Sequence, residues 1–257
     1  MTTSAQSART AIVTGASSGL GVEIACALGG LGWRVAVGAR RVERLDDTAA
    51  RVEEAGGHAF AHPLDVSDSS SIDAFFDASV ATFGTPDVVV NNAGMSMPGL
   101  LEEHTPEALA YEVAVNLTGP MLVARRAIAR LREEGRRGDL VFITSDAVTK
   151  PRPQQSPYTA TKSGLEGLAR ALSMELEGSG IRSTIVRPGR AFSEYAAAWD
   201  HAKIAELIPY WRRYGLQRHT GVMAGAAVAR AVVLAVTTPP GVHLDTIEVQ
   251  PEAPTNA

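Results

Sequence analysis

"TAIVTGASSGLG", residues 10–21, governs how every later segment is read. Its first half is a β-branched apolar run that stops at a glycine, the pattern of a strand buried on both faces. Its second half carries glycines at 15, 19 and 21, and a helix is expected from about Gly21. Glycines in such a loop let the chain turn tightly and let backbone N–H groups approach a negatively charged group at the positive end of a helix. A glycine triplet alone also suits a plain tight turn, so the weight falls on the elements around it.

Those elements alternate. The strand signal returns in "WRVAVGAR" (33–40), "HAFAHPLDV" (58–66), "DVVVN" (87–91), "GDLVFIT" (138–144) and "IRSTIVR" (181–187). Helical patterns fill the gaps at 41–56, 68–83, 105–134 and 156–178, and a helix near 221–236 and a strand near 242–249 close the chain. Strands alternating with helices imply an α/β fold: a Rossmann-type, doubly wound, mostly parallel sheet of about seven strands with helices on both faces. In such a sheet the loop after the first strand is where the pyrophosphate of a dinucleotide binds.

The 257 residues, 45% hydrophobic and 20% charged, suffice for a large core. No linker divides them, so 1–257 is expected to form one domain, with 1–8 a short disordered leader. A net charge of -4 and a pI near 5.9 argue against nucleic acid as a partner. No apolar run reaches membrane-spanning length, and Cys26 has no second cysteine to pair with, which together suggest a cytoplasmic protein without a membrane partner. His201 and His219 lack neighbours at metal-ligand spacing, so no metal is expected.

"SPYTATKSGLEG" (156–167) places Tyr158 and Lys162 one helical turn apart, on one face. A phenol of pKa about 10 exchanges protons poorly near neutrality, and a neighbouring ammonium lowers that value. Taken alone, the pair equally suits a solvated lysine beside a half-buried tyrosine.

The G-x-x-x-G-x-G loop at 15–21, "NNAG" at 91–94, "YTATK" at 158–162 and "RPG" at 187–189 together resemble, in order, the short-chain dehydrogenase/reductase family. The resemblance spans nearly the whole chain. It implies that Tyr158 is the acid/base, Lys162 its tuner, Ser145 the hydroxyl that holds the substrate oxygen, and Asn116 in "AVNLTG" (114–119) part of a proton relay. Without it, Ser145 reads as a capping residue and Asn116 as a satisfied buried amide. It further implies cofactor contacts from Gly15, Ser17, Ser18, Gly19, Leu20 and Gly21 of the first loop, and from Asp65 and Val66 at the adenine. Asn91, Asn92, Ala93 and Gly94 would lie under the cofactor, and Tyr158, Lys162, Pro188, Gly189, Ala191 and Ser193 around the nicotinamide half. Ser193 stands where the family has threonine, which keeps the hydroxyl and loses a methyl.

About 20 residues after the first loop, a carboxylate would bind the ribose hydroxyls of NAD, whereas arginine accommodates the phosphate of NADP. Arg40 and Arg41 occupy that place with no carboxylate, so NADP(H) is expected, with NAD(H) as the alternative. The stretch 190–220 breaks the strand-helix rhythm and gathers Phe192, Tyr195, Trp199, Tyr210, Trp211 and Tyr214. Two readings stay open: a substrate lid, with Met95, Ser96 and Met97 lining the same pocket, or the packing of a helical hairpin or subunit interface. The expected function is NADP-dependent interconversion of a ketone or aldehyde with its alcohol, on an apolar or ring-containing small molecule. A catalytically silent NADP-binding sensor or scaffold is the alternative. The resemblance also implies a homo-oligomer, tetramer or dimer, built partly from helices such as "RRAIARLREEGRR" (125–137).

Overall fold

In the computed structural model, which describes residues 8–192, 199–216 and 219–255, seven strands form one sheet. They are β1 (Thr10–Thr14), β2 (Arg34–Ala39), β3 (His58–Pro63), β4 (Val88–Asn91), β5 (Gly138–Ile143), β6 (Ile181–Pro188) and β7 (Thr246–Val249). Their spatial order is β3-β2-β1-β4-β5-β6-β7, and every neighbouring pair runs parallel. The chain winds outward from β1 to β3 and then returns to lay β4 on the other side of β1. At that reversal the connections leave in opposite directions, and a crevice opens beyond the carboxyl ends of the strands.

Eight α-helices accompany the sheet among the described residues: α1 (Gly19–Gly29), α2 (Leu45–Glu54), α3 (Ser69–Phe83), α4 (Pro106–Val113), α5 (Gly119–Glu133), α6 (Ser156–Glu175), α7 (His201–Arg213) and α8 (Gly225–Thr237). Alternating strand residues divide the core. Val13, Val35, Val37 and Val90 pack on one face with Ile24, Leu28, Val52 and Val232 from α1, α2 and α8. Ile12, Ala36, Val89 and Phe142 face the other way, onto Phe75, Phe76, Leu131 and Leu165 from α3, α5 and α6. With both faces covered, the strands read as near-continuous apolar runs, and each large buried side chain contributes about 1.5–3 kcal/mol.

Several boundaries differ from the sequence expectation, three of them for a local reason. The 105–134 helix is not continuous: Thr105 caps α4 by accepting from the Ala108 N–H, Pro106 starts it, and a π turn at Ala114–Thr118 separates it from α5. The last helix begins at Gly225 instead of 221, because the preceding residues are drawn into a short extended pairing of Met223 with Ala191. The last strand begins at Thr246 instead of 242: Arg182 holds the carbonyls of Thr238 and Val242, keeping that turn off the sheet edge. Helix α1 also begins two residues early, at Gly19.

Candidate active site

The crevice is a cavity of about 550 Å³ whose walls come from the carboxyl ends of the central strands and from α7. Its floor begins at Gly15, which has φ +68 and whose N–H donates to the Gly38 carbonyl at 2.8 Å. A Cβ there would stand 2.7 Å from the Ala93 Cα, so only glycine lets the two loops meet this closely. Thr14 ties them together: its Oγ1 accepts from the N–H groups of Asn92 (3.1 Å) and Ala93 (3.0 Å), and Asn92 Nδ2 returns a bond to the Thr14 carbonyl at 2.9 Å. Ser17, Ser18, Gly19, Leu20, Asn92, Ala93 and Gly94 all line the cavity. Gly21 stands behind the loop instead, where a Cβ would meet the Gly15 carbonyl at 2.4 Å. Asn91 is buried at the end of β4, away from the lining.

Beyond β2, the exposed Arg41 donates to Ser17 Oγ at 3.2 Å and to Ser18 Oγ at 2.6 Å, bracing the glycine loop from outside. Arg40 donates to the Tyr111 hydroxyl and lies 5.9 Å from that ring's centre. Asp65, across the cavity, accepts from the Ser67 N–H at 2.9 Å, and Val66 lines the wall beside it.

The other end of the cavity holds the titratable groups. Tyr158 and Lys162, on α6, are 7% and 4% exposed, and Lys162 Nζ donates to the Ile143 carbonyl at 2.9 Å, 5.8 Å from the centre of the Tyr158 ring. Both side chains therefore turn into the crevice, and the solvated-lysine reading fails. Asn116, on the π turn, does not line the cavity. Its amide grips Met95 at both backbone atoms, each at 2.8 Å, and donates to Thr161 Oγ1 at 3.2 Å. Gly94 fits between them, since a Cβ there would lie 3.2 Å from Lys162 Nζ and 3.3 Å from Asn116 Oδ1. Ser145 lines the cavity and caps the short turn that follows β5, accepting from the Ala147 N–H at 3.1 Å.

Burial pulls Lys162 down to about 8, partly opposed by the Glu112 carboxylate. Burial likewise pushes Glu112 up to about 7, against the Met97 N–H and the Lys162 ammonium, which favour its charged form.

Pro188, Gly189 and Ala191 extend the lining past β6, where the Gly189 N–H donates to the Val249 carbonyl at 2.7 Å. Ser193 and Tyr195 lie outside the described residues. The remaining aromatics of 190–220 divide. Trp199 and Trp211 line the cavity with ring centres 6.4 Å apart, their N–H groups donating to the carbonyls of Ser96 (3.0 Å) and Pro153 (3.3 Å). Phe192, Tyr210 and Tyr214 are exposed. Of the three residues after "NNAG", Met95 alone lines the cavity. Arg152 also lines it, donating to both oxygens of Asp146 at 2.8 Å and lying 5.9 Å from the Trp211 ring. "PRPQQ" reads only as a loop, so nothing local marked that pair. No helix among the described residues is long and apolar enough to cross a membrane.

Comparison with known proteins places this geometry. A family model described as short chain dehydrogenase matches residues 9–203. The chain is 35% identical over 182 residues to the 3beta-hydroxysteroid dehydrogenase 1 of Eggerthella lenta, covering 70% of each protein. It is 32% identical over 232 residues to the granaticin polyketide synthase putative ketoacyl reductase 1 of Streptomyces violaceoruber, covering 87% of this chain and 85% of that one. Among solved structures, a substituted actinorhodin polyketide ketoreductase with NADPH superposes at a TM-score of 0.82, with 31% identity, covering 96% of this chain and 98% of the other.

Proposed function

The chain belongs to the short-chain dehydrogenase/reductase family of oxidoreductases, and we propose that it is an NADP-dependent enzyme interconverting an apolar, ring-bearing ketone or aldehyde with its alcohol. One observation carries the proposal. A single cleft joins Arg40 and Arg41, which stand at the end of β2 where an NAD enzyme would carry a carboxylate, to a buried tyrosine-lysine pair at its other end.

The residues present fit the dinucleotide. Gly15 and Gly94 leave backbone bare where a side chain would intrude, and Arg40 and Arg41 offer guanidinium donors suited to the 2'-phosphate. When bound, NADPH supplies the hydride that goes to the carbonyl carbon. Negative charge then builds on the carbonyl oxygen, and the Tyr158 hydroxyl delivers its proton there while the Ser145 hydroxyl donates a hydrogen bond. The Lys162 ammonium favours the phenolate that remains. Asn116 holds the Met95 backbone, fixing the loop against which Lys162 lies. In the alcohol-oxidising direction the same phenolate takes the proton back.

Substrate class is drawn from the wall: Trp199, Trp211, Ile204 and Ile208 present apolar and aromatic surface to the cleft. The names of the steroid and polyketide relatives agree with a ring-bearing compound. Assembly into a homo-oligomer is part of the same reading, since Val113, Met121 and Leu234 are exposed apolar residues on the outer helices. So is a reducing, cytoplasmic setting, with Cys26 unpaired.

The test is a panel of cyclic ketones, aromatic ketones, steroids and β-keto esters, with NADPH and NADH, following loss of reduced-cofactor absorbance. NADPH-preferring consumption with ring compounds is expected. No consumption with any member of the panel overturns the reading.

A further inference from the structure

Two carboxylates among the described residues are 0% exposed, and the fold treats them differently. Glu166, on α6, is saturated: it accepts from Thr144 Oγ1 at 3.1 Å and from Arg187 at 2.8 Å on each oxygen, and Arg170 also donates to it. Glu112, on α4, pairs with no arginine among the described residues. Its Oε2 accepts from the Met97 N–H at a long 3.4 Å, and its Oε1 has no hydrogen-bond partner among the described residues. A buried carboxyl so poorly matched costs stability, so its surroundings are informative.

Glu112 lies one helical turn before Asn116, where α4 meets the π turn, and α4 packs against α6. Asn116 grips Met95 while Glu112 reaches Met97, so the two side chains hold one loop between them. Gly94, at the start of that loop, is the residue whose Cβ would meet Lys162 Nζ. From α6 the facing titratable groups are Lys162 and, beyond it, Tyr158. The loop 94–97 and the π turn contribute no titratable side chain, and Tyr111, the neighbour on α4, is engaged by Arg40. Lys162 is the cation whose field reaches Glu112, and Glu112 the anion whose field reaches Lys162.

We propose that Glu112 is a positioning residue for proton transfer: an unmatched buried carboxyl, held against the loop over Lys162, that supplies the counter-charge keeping this lysine an ammonium beside Tyr158. The role in turnover rests on the oxidoreductase reading above; the electrostatic coupling does not. Burial alone drives Lys162 toward its neutral form, and Glu112 opposes that drift. A neutral amine could not favour the phenolate, so losing the carboxylate raises the pH at which Tyr158 accepts a proton from an alcohol.

The chain has three lysines, Lys150, Lys162 and Lys203, so isotope-labelled lysine gives a spectrum simple enough to follow the buried one through a pH titration. Glu112→Gln, which keeps the shape and removes the charge, is expected to lower the Lys162 midpoint by about one pH unit, and Glu112→Asp to restore part of it. In steady-state alcohol oxidation, Glu112→Gln is expected to move the pH limb upward by a similar amount and to lower kcat more than it changes KM. Glu112→Leu serves as an apolar filler should the glutamine variant fold poorly, with the same expected shift. A Lys162 midpoint unchanged in both Glu112→Gln and Glu112→Leu overturns the proposal and leaves Glu112 a space-filling residue. Were the midpoint to move in a protein that turns over no carbonyl compound, the coupling would stand and the oxidoreductase reading would fall. Normal turnover with an unmoved midpoint would do the reverse: the coupling would fall and the oxidoreductase reading would stand.

Discussion

Replacing Lys162 with methionine isolates the cost of holding an ammonium in the crevice. Its folded-state value of about 8 lies below the ordinary 10.5, because burial penalises the charged form. Between those two pH values the unfolded chain binds more protons at this position than the folded one, so stability rises with pH across the window. Below pH 8 the lysine is charged in both states and the penalty is fully present; above 10.5 it is gone. At about 1.4 kcal/mol per pKa unit, the gap amounts to about 3 kcal/mol. A methionine variant carries no such pH dependence of its own, while Glu112, deprived of its cation, stays protonated to higher pH and widens the same difference. The variant also loses the bond to the Ile143 carbonyl and some packing, but those losses are the same at every pH and cancel in the difference. The comparison belongs in a Tyr158→Phe background, so that the phenol does not titrate in the same window. Urea unfolding near pH 7 and near pH 10.5 should then show the lysine-bearing protein gaining at least about 3 kcal/mol relative to its Lys162→Met counterpart. An unchanged difference between the two pH values would mean that Lys162 is hydrated in solution, and the buried-ammonium argument would be wrong.

Other perturbations probe the remaining parts. Exchanging both Arg40 and Arg41 for serine should lower the ratio of kcat/KM with NADPH to that with NADH by about ten- to a hundred-fold, the worth of one or two charge-assisted hydrogen bonds; an unchanged ratio would remove them from cofactor selection. Arg187→Met should destabilise the fold by about 3–5 kcal/mol at neutral pH, read by urea unfolding, because Glu166 is left buried without its main partner. Burial pushes Glu166 up, yet Arg187, Thr144 and Arg170 together hold it below the usual carboxylate range. Its pairing therefore contributes above pH 4.5 and is lost as pH falls, so the cost of Arg187→Met should shrink in acid.

The sheet was legible because its strands are buried on both faces: "TAIVT", "VVV" and "LVFI" have no polar side to hide, and their spacing by helices fixes a parallel order. The glycine loop and the Tyr158-Lys162 pair were each ambiguous alone, and only the order of four motifs, which resembles the short-chain dehydrogenase/reductase family, singled them out. Asn116 is a harder case: Gly119 and Pro120 mark a break in the helical pattern of 105–134, since Pro120 has no N–H to return to the preceding turn, but the meeting of the Asn116 amide with the Met95 backbone 21 positions away depends on packing. The late starts of α8 and β7 have the same origin, since Arg190 and Arg182 hold the backbone there from outside the segment. Glu112 could not be found from local pattern at all. Nothing in "PEALAYEV" distinguishes a glutamate at the surface from one enclosed between α4 and α6. The aromatic excess of 190–220 left a substrate lid and a packed hairpin or interface equally open, and only packing decides that Trp199 and Trp211 face the cleft while Tyr210 and Tyr214 face solvent.

The central claim is that a phenol beside a buried ammonium moves the proton in this cleft. It is tested most directly by Tyr158→Phe, measured both for NADPH binding by fluorescence titration and for turnover of whichever ketone the wild-type protein reduces. Binding within about two-fold of wild type, with kcat lowered by about 10²–10⁴, is predicted from the loss of general-acid catalysis. A variant that keeps most of its turnover would contradict the account.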